Sequence, residues 1–255
     1  MEILFLGTGT SHGVPMIGCD CAVCRSDDPR DNRLRPSIYI TGNEGTRVLI
    51  DTTPDLRQQC LRERISRVDA VVYTHSHADH TFGFDELRRF NHLTKQSVAV
   101  YGDAATLQVL RRTFSYAFEK GAAAGGGVPD ASLTTIDGPF DVRELRLQPL
   151  TVYHGSHPVL GFRIGRFAYL TDCNAVPDDT MALLGGLDVL VLDALRHRPH
   201  PTHYSLSEAT AVAQRIGARS TFFTHMCHDL GHAATCAALP EGLSLAYDGL
   251  RISCS

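Results

Sequence analysis

The stretch VVYTHSHADHTFG, Val71 to Gly83, constrains this chain more than any other. An apolar run, Asp69 to Tyr73, has the length of a short buried strand and ends in a polar junction that holds His75, His77, Asp79 and His80. Neutral imidazoles and carboxylates are the ligands that zinc, iron and manganese accept. Buried without a cation, the same groups would crowd one pocket with few partners. The bland alternative is a solvated histidine-rich turn. Recurrence argues against it. LTVYH ends an apolar run at His154, AYLTD ends one at Asp172 and TFFTH ends one at His225. Each alone reads as a turn or cap residue. Together with the cluster they make seven ligands delivered to one sheet edge, which suits two nearby divalent ions sharing a carboxylate.

A second cluster lies near the N-terminus, where GCDCAVC places Cys19, Cys21 and Cys24 in one short loop. That spacing suits a metal clip, but a closed tetrahedral zinc site needs four ligands. FTHMCHD offers two candidates for the fourth, Cys227 and His228. A reactive or redox-active cysteine cluster is the other reading.

Composition narrows the class. The chain has 255 residues, 43% of them hydrophobic and 20% charged, as in an ordinary globular protein with a substantial core. A formal charge of −4 argues against a broad nucleic-acid-binding surface. No apolar run approaches the roughly 20 residues of a membrane helix. Met1 to Gly7 reads as a strand and lacks the features of a signal peptide, so a cytoplasmic location is expected. Cys60, Cys173, Cys227, Cys236 and Cys254 are scattered and read as small buried hydrophobes.

Periodicity gives two similar runs of strands followed by strand–helix alternation, with no linker between them. Strands are expected at residues 2–6, 37–41, 47–50, 69–73 and 98–101, and again at 145–153, 159–164, 167–170, 189–192, 221–223 and 243–247. Helices are expected at 54–64, 85–92, 103–114 with Asp103 as N-cap, 179–184 and 207–216. Lys120 to Pro139, with GAAAGGGVPDAS, reads as a surface loop and candidate lid. The whole, residues 1–255, is expected to be one α/β domain in which two mixed sheets are flanked by helices.

The His-x-His-x-Asp-His motif followed by isolated His, Asp and His at strand ends resembles the metallo-β-lactamase superfamily. LGTGTSHGVP, the Cys-x-Cys-x-x-Cys clip and the THMCH stretch are similar to its phosphoribosyl cyclic phosphate phosphodiesterase (PhnP-like) branch. The resemblance implies an αββα sandwich with a dimetal site at one edge. It implies that His75, His77 and His154 hold one divalent ion, that Asp79, His80 and His225 hold the other, and that Asp172 bridges them. His157, in YHGSHPVLGF, competes with His154; His154 is preferred because it ends the strand and its spacing to Gly161 is close to the family's. The resemblance further implies that His228 completes a Cys₃His structural zinc site with Cys19, Cys21 and Cys24. Asp51, in VLIDTTPD, matches a family aspartate outside the coordination sphere and reads as orienting a histidine, or else as a turn residue before the next helix.

The implied activity is hydrolysis by a metal-bridging hydroxide of a small cyclic or nucleotide-like phosphodiester. His203, in RHRPHPTHYS, aligns with a family histidine beside the metals and is the candidate general acid or phosphate ligand, with Asp79 and Asp51 as further candidate catalytic groups. Arg196 or Arg198 would hold a substrate phosphate. Zinc, manganese and iron are all compatible with the catalytic ligands. A thioester or lactone hydrolase, a tRNA 3′-processing nuclease and a non-hydrolytic metal-binding member in cofactor biosynthesis are the alternatives. The resemblance also suggests a homodimer.

Overall fold

A computed structural model describes residues 1–119 and 127–254. Six strands come first: β1 (Glu2–Gly7), β2 (Ser37–Thr41), β3 (Arg47–Ile50), β4 (Ala70–Val72), β5 (Val98–Gly102) and β6 (Ala131–Thr135). Seven more follow: β7 (Phe140–Val142), β8 (Leu145–His154), β9 (His157–Ile164), β10 (Phe167–Leu170), β11 (Val189–Asp193), β12 (Ser220–Thr224) and β13 (Leu243–Leu245). The last, β14 (Arg251–Ser253), returns to the edge of the first sheet. The two sheets run β14-β1-β2-β3-β4-β5-β6 and β13-β12-β11-β10-β9-β8-β7. Both are mixed: antiparallel hairpins give way to parallel pairs at β3–β4 and at β10–β11.

Strand alternation explains the layering. Ile3 and Phe5 of β1 point into the core between the sheets, with Phe162, Phe167 and Val191, while Leu4 and Leu6 point outward. In β11, Val189 and Val191 face inward while Leu190 and Leu192 face out. Sheets that are apolar on both faces need helices outside. The first sheet is covered by α1 (Leu56–Glu63), α3 (Leu87–Thr94) and α4 (Ala104–Thr113), through Leu56, Leu87, Phe90, Leu107 and Leu110. The short α2 (Ala78–Thr81) lies in the polar junction, and α5 (Ser115–Phe118) follows α4. The second sheet is covered by α7 (Leu206–Ile216), through Ala209 and Ala213, with α6 (Asp178–Ala182) and α8 (His232–Ala238) packed beside it. This is the αββα sandwich expected from the sequence.

Two expected segments are altered and several elements are new. The segment read as a loop from Lys120 to Pro139 contains a strand: β6 pairs in parallel with β5, Val98 opposite Ala131. Its half-exposed polar face hid it, as is usual for an edge strand; residues 120–126 lie outside the described part. The helix expected at 85–92 begins with a 3₁₀ turn, Phe84–Glu86, before α3. Helices α2, α5 and α8 and strands β7 and β14 were not expected at all.

One cap was expected from the sequence and a second was not. Asp103 accepts a hydrogen bond from Thr106 N at 2.6 Å at the start of α4. At α7, Ser205 and Glu208 form a reciprocal capping box. Ser205 lies two residues after His203, so the same cap fixes where the 194–205 loop ends. Ser205→Ala should cost about 1 kcal/mol. Thermal unfolding should register this as a midpoint about 2–4 °C lower; an unchanged midpoint would show that the cap does not secure this helix.

Candidate metal centre

The polar junctions converge at one end of the sandwich because parallel strands β3, β4, β10, β11 and β12 all end there. Asp51 follows β3, Thr74 and His75 follow β4, Asp172 follows β10 and His225 follows β12. Three of these strand-end residues adopt left-handed backbone: Asp51 at φ 65°, Asp172 at φ 52° and His225 at φ 61°. Non-glycine residues rarely sit there, and such strain is held only where surrounding structure overdetermines it. Here it turns each side chain off the end of its strand.

Asp172 is the shared group. Its Oδ1 lies 3.2 Å from Nε2 of His80 and 3.2 Å from Nε2 of His225. Its Oδ2 lies 3.8 Å from Nε2 of His75. Asp79 Oδ2 is 3.5 Å from His80 Nε2 and 3.7 Å from His225 Nε2. His75 Nε2 and His77 Nδ1 are 3.0 Å apart, and the His154 ring stands 5.2 Å from that of His77. Asp79, His80, Asp172 and His225 make one group with ligand atoms within 4.8 Å of one another, and His75, His77 and Asp172 make a second. Asp172 also groups with His154 and His203. Separations of this size match the edges of a coordination shell with bonds of about 2 Å.

Groups farther out aim these ligands. Asp51 Oδ2 accepts from His80 Nδ1 at 2.7 Å, which leaves His80 Nε2 facing the centre. The Thr74 hydroxyl donates to Asp51 Oδ2 at 2.8 Å and stands 3.0 Å from His75 Nδ1, from which it can accept. His154 Nδ1 donates to Thr202 O at 2.9 Å. Each link fixes one ring nitrogen and frees the other. His157 is exposed and belongs to none of these groups.

A group that sequence reading passed over joins this layer. Asp193, at the end of β11, is fully buried; its Oδ2 accepts from His203 Nδ1 at 2.7 Å and from Cys173 N at 2.8 Å. Its Oδ1 lies 3.9 Å from His225 Nδ1. The signal was present, since VLVLD ends a strand in Asp just as AYLTD does, but its histidine partner lies ten residues further on. The His203 ring packs 4.6 Å from that of His154 and 4.7 Å from that of His225.

The donor set fits divalent ions. His80 Nε2 and both ring nitrogens of His225 are buried without a hydrogen-bond partner. Burial pushes the Asp172 carboxyl up, but His225 and His80 outweigh it and hold it well below the ordinary carboxylate range. Asp79 is also held low: burial raises it, and the charge of His80 and the nearby His225 ring more than offset that. Burial works against a charged His80, yet Asp172, Asp79 and Asp51 hold its ring well above the usual imidazole value. His225 follows the same logic, with Asp172, Asp79 and Asp193 raising it to about 9 against burial. Burial and the charge of His80 push His75 well down. Without metal, protons on His80 and His225 answer the carboxylates.

The cysteine loop meets the opposite side of the same segment. Nδ1 of His228 lies 3.1 Å from Cys19 Sγ, 3.4 Å from Cys21 Sγ and 3.5 Å from Cys24 Sγ. These four form a group of the size that tetrahedral zinc requires. Cys227 is not in it; its sulfur accepts from Asp229 N at 3.4 Å instead. Backbone bonds Thr10 N to Met226 O and Met226 N to Thr8 O tie the N-terminal loop to the residue after His225. Buried Arg33 adds bonds to Cys227 O at 2.9 Å and Leu230 O at 2.5 Å. A clip at His228 therefore steadies His225 three residues away. Arg196 bonds back to its own loop at Pro199 O, and Arg198 is exposed, 3.7 Å from Asp229.

Two outcomes follow. His225 binds its proton more tightly in the folded protein, about 9 against an ordinary 6.5. That proton stabilises the metal-free protein below about 6.5, and the contribution is lost as pH rises through about 9. Metal requires the proton to leave. Metal-free protein should thus lose stability across that window while metal-loaded protein gains it; thermal midpoints that move in parallel would contradict the assignment. Separately, His228→Ala should lower bound zinc by one equivalent, read by elemental analysis, with Asp79 and Asp172 still loaded; a full complement of zinc would exclude His228 as a ligand.

Comparison with known proteins agrees with this geometry. Residues 46–226 match the family model described as the beta-lactamase superfamily domain. A crystal structure described as a new diphosphatase from the PhnP family superposes with a TM-score of 0.93 at 44% identity, covering 100% of this chain and 98% of that one. The octanoyltransferase of Porphyromonas gingivalis is 37% identical over 98% of this chain, which spans only 51% of that protein's length. Coenzyme PQQ synthesis protein B of Methylorubrum extorquens is 28% identical over 76% of this chain and 72% of its own. The chain belongs to the metallo-β-lactamase superfamily and is a PhnP-like member of it.

Proposed function

We propose that this protein is a dinuclear-metal-dependent hydrolase of phosphoric esters, acting on a small phosphodiester or diphosphate. The observation that carries this reading is the His203–Asp193 pair, 2.7 Å apart, with the His203 ring stacked on the candidate ligand His225 and edge-on to the candidate ligand His154. His75, His77 and His154 would hold one ion, Asp79, His80 and His225 the other, with Asp172 between them. Bound there, two divalent ions supply an activated water and neutralise charge on the phosphoryl group. The chain's own residues do the rest. Asp51 and Thr74 hold His80 and His75 in the ligating orientation. Asp193 takes the Nδ1 proton of His203 as a hydrogen bond, which turns Nε2 toward the cleft and stabilises the ring when charged. His203 then donates the Nε2 proton to the departing oxygen. An ester of phosphoric acid that expels an alkoxide or phosphate needs such a proton; a thioester expelling a thiolate does not. Cys19, Cys21, Cys24 and His228 would hold a zinc that keeps the His225 segment in place. The diphosphatase likeness supports the phosphoryl class.

A carboxylic thioester or ester is the second reading, and the likeness to an octanoyltransferase is what favours it. Leaving-group dependence separates the two. His203→Ala should slow diesters with alkoxide leaving groups by about 10²- to 10⁴-fold and p-nitrophenyl diesters much less, with Asp193→Asn changing rates in the same order. Equal losses across leaving groups would remove His203 from proton transfer. Turnover confined to thioesters would replace the phosphoryl reading.

A further inference from the structure

Two loops that carry functional groups meet at Asn174. The chain leaves β10 through Asp172, and two residues later Asn174 N donates to Tyr153 O at 2.8 Å, beside the end of β8. That bond brings the side-chain amide against the turn after His154, where Asn174 Oδ1 accepts from Gly155 N at 2.8 Å. The same amide faces the loop of residues 194–205, and its Nδ2 donates to Pro201 O at 3.0 Å. One residue further along, Thr202 O accepts from His154 Nδ1 at 2.9 Å. On the other flank of His203, Tyr204 N donates to Cys173 O at 2.9 Å. Residues 173 and 174 thus grip the loop on both sides of His203. Among the described residues, the other hydrogen bonds of residues 199–202 stay within the loop: Thr202 N and Oγ1 reach His200 Nδ1 at 3.3 and 3.2 Å, and Arg196 reaches Pro199 O.

We infer that Asn174 is a positioning residue that couples the candidate ligand His154 to the proton donor His203, by holding the loop that carries one against the turn that carries the other. In its catalytic consequence this rests on the phosphoric-ester reading above. An amide suits the task because one short neutral side chain both accepts and donates: its oxygen takes the Gly155 proton while its nitrogen gives one to Pro201 O. Those two partners also fix which way the amide is turned. Gly155 permits the close approach, since its φ is 65° and a Cβ there would lie 3.0 Å from Thr202 Cγ2. The contact sets Thr202 O in place, Thr202 O fixes Nδ1 of His154, and Nε2 of His154 is left for an ion. The same contact sets the backbone two residues before His203. Asp193 aims the His203 ring, and Asn174 holds the loop beneath it against the His154 turn.

Asn174→Asp is the deciding variant, because it keeps an acceptor for Gly155 N and removes the donor to Pro201 O. Asn174→Ala removes both. If the amide couples the two loops, Asp behaves as Ala does; if it only closes the turn at Gly155, Asp behaves as wild type. Long-range ¹H–¹⁵N spectra of the histidine rings read this on metal-free protein without substrate: His154 should carry its proton on Nδ1 in wild type and lose that preference in both variants. In zinc-loaded protein, a chelator should remove one of the centre's two ions at about tenfold lower concentration in both variants, with the other unmoved. In turnover, kcat for diesters with alkoxide leaving groups should fall about 10- to 100-fold with KM little changed, and p-nitrophenyl diesters should suffer less. Gly155→Ala disturbs the same contact with the Asn174 amide in place; it should reproduce the ring and chelator changes, and it decides the matter if the Asn174 variants do not fold. A wild-type His154 without the Nδ1 proton, or wild-type ring spectra and chelator behaviour in Asn174→Asp, overturns the inference. If no diester turns over, the hydrolase reading fails on its own, while the ring spectra still decide the coupling.

Discussion

Asp172 stands where three sets of ligand atoms meet, and its two oxygens face different sets: Oδ1 toward His80 and His225, Oδ2 toward His75. It is fully enclosed and its backbone is left-handed. A carboxylate so placed has to be met by positive charge. Protons on histidine supply it in the metal-free protein; divalent ions supply it better, because they also satisfy the orphaned nitrogens of His80 and His225. The remainder of the site can be read as support for this one group. Asp51 fixes His80, Asp193 faces His203 and His225, and the backbone of Thr202 fixes His154.

The fold makes that convergence possible. Each sheet begins as antiparallel hairpins and turns parallel, so the C-terminal ends of its parallel strands come to one edge. Parallel sheets present their functional groups at that end because the chain leaves each strand there in a loop. The cysteine clip belongs to the same logic. It joins the loop between β1 and β2, through Cys19, Cys21 and Cys24, to the loop that follows β12, through His228, and four ligands of this kind leave no open position.

The convergence of the candidate ligands was legible because histidines were concentrated where apolar runs stop, and no folding requirement calls for that. The layers were legible because strands such as ILFL and VLVL alternate between two apolar faces. Other features needed the third dimension. Asp193 was passed over, since its meaning depends on His203 coming back beside it. Asp and His enter left-handed backbone more often than most residues, but not often enough to announce it at Asp51, Asp172 and His225 as glycine would have. The edge strand at residues 131–135 was hidden by its polar, half-exposed side chains next to a glycine-rich stretch. Asp103 was legible as a cap, but its place in one cleft with His77 and His154 needed the third dimension.

Anomalous diffraction from crystals grown with zinc, recorded on both sides of the zinc edge, tests the centre most directly. The account predicts one peak inside the Cys19, Cys21, Cys24 and His228 group and two more flanking the Asp172 carboxylate, one on the His75 and His77 side and one on the Asp79 and His225 side. A single peak at the cysteines, with nothing beside Asp172 at saturating zinc, would contradict it.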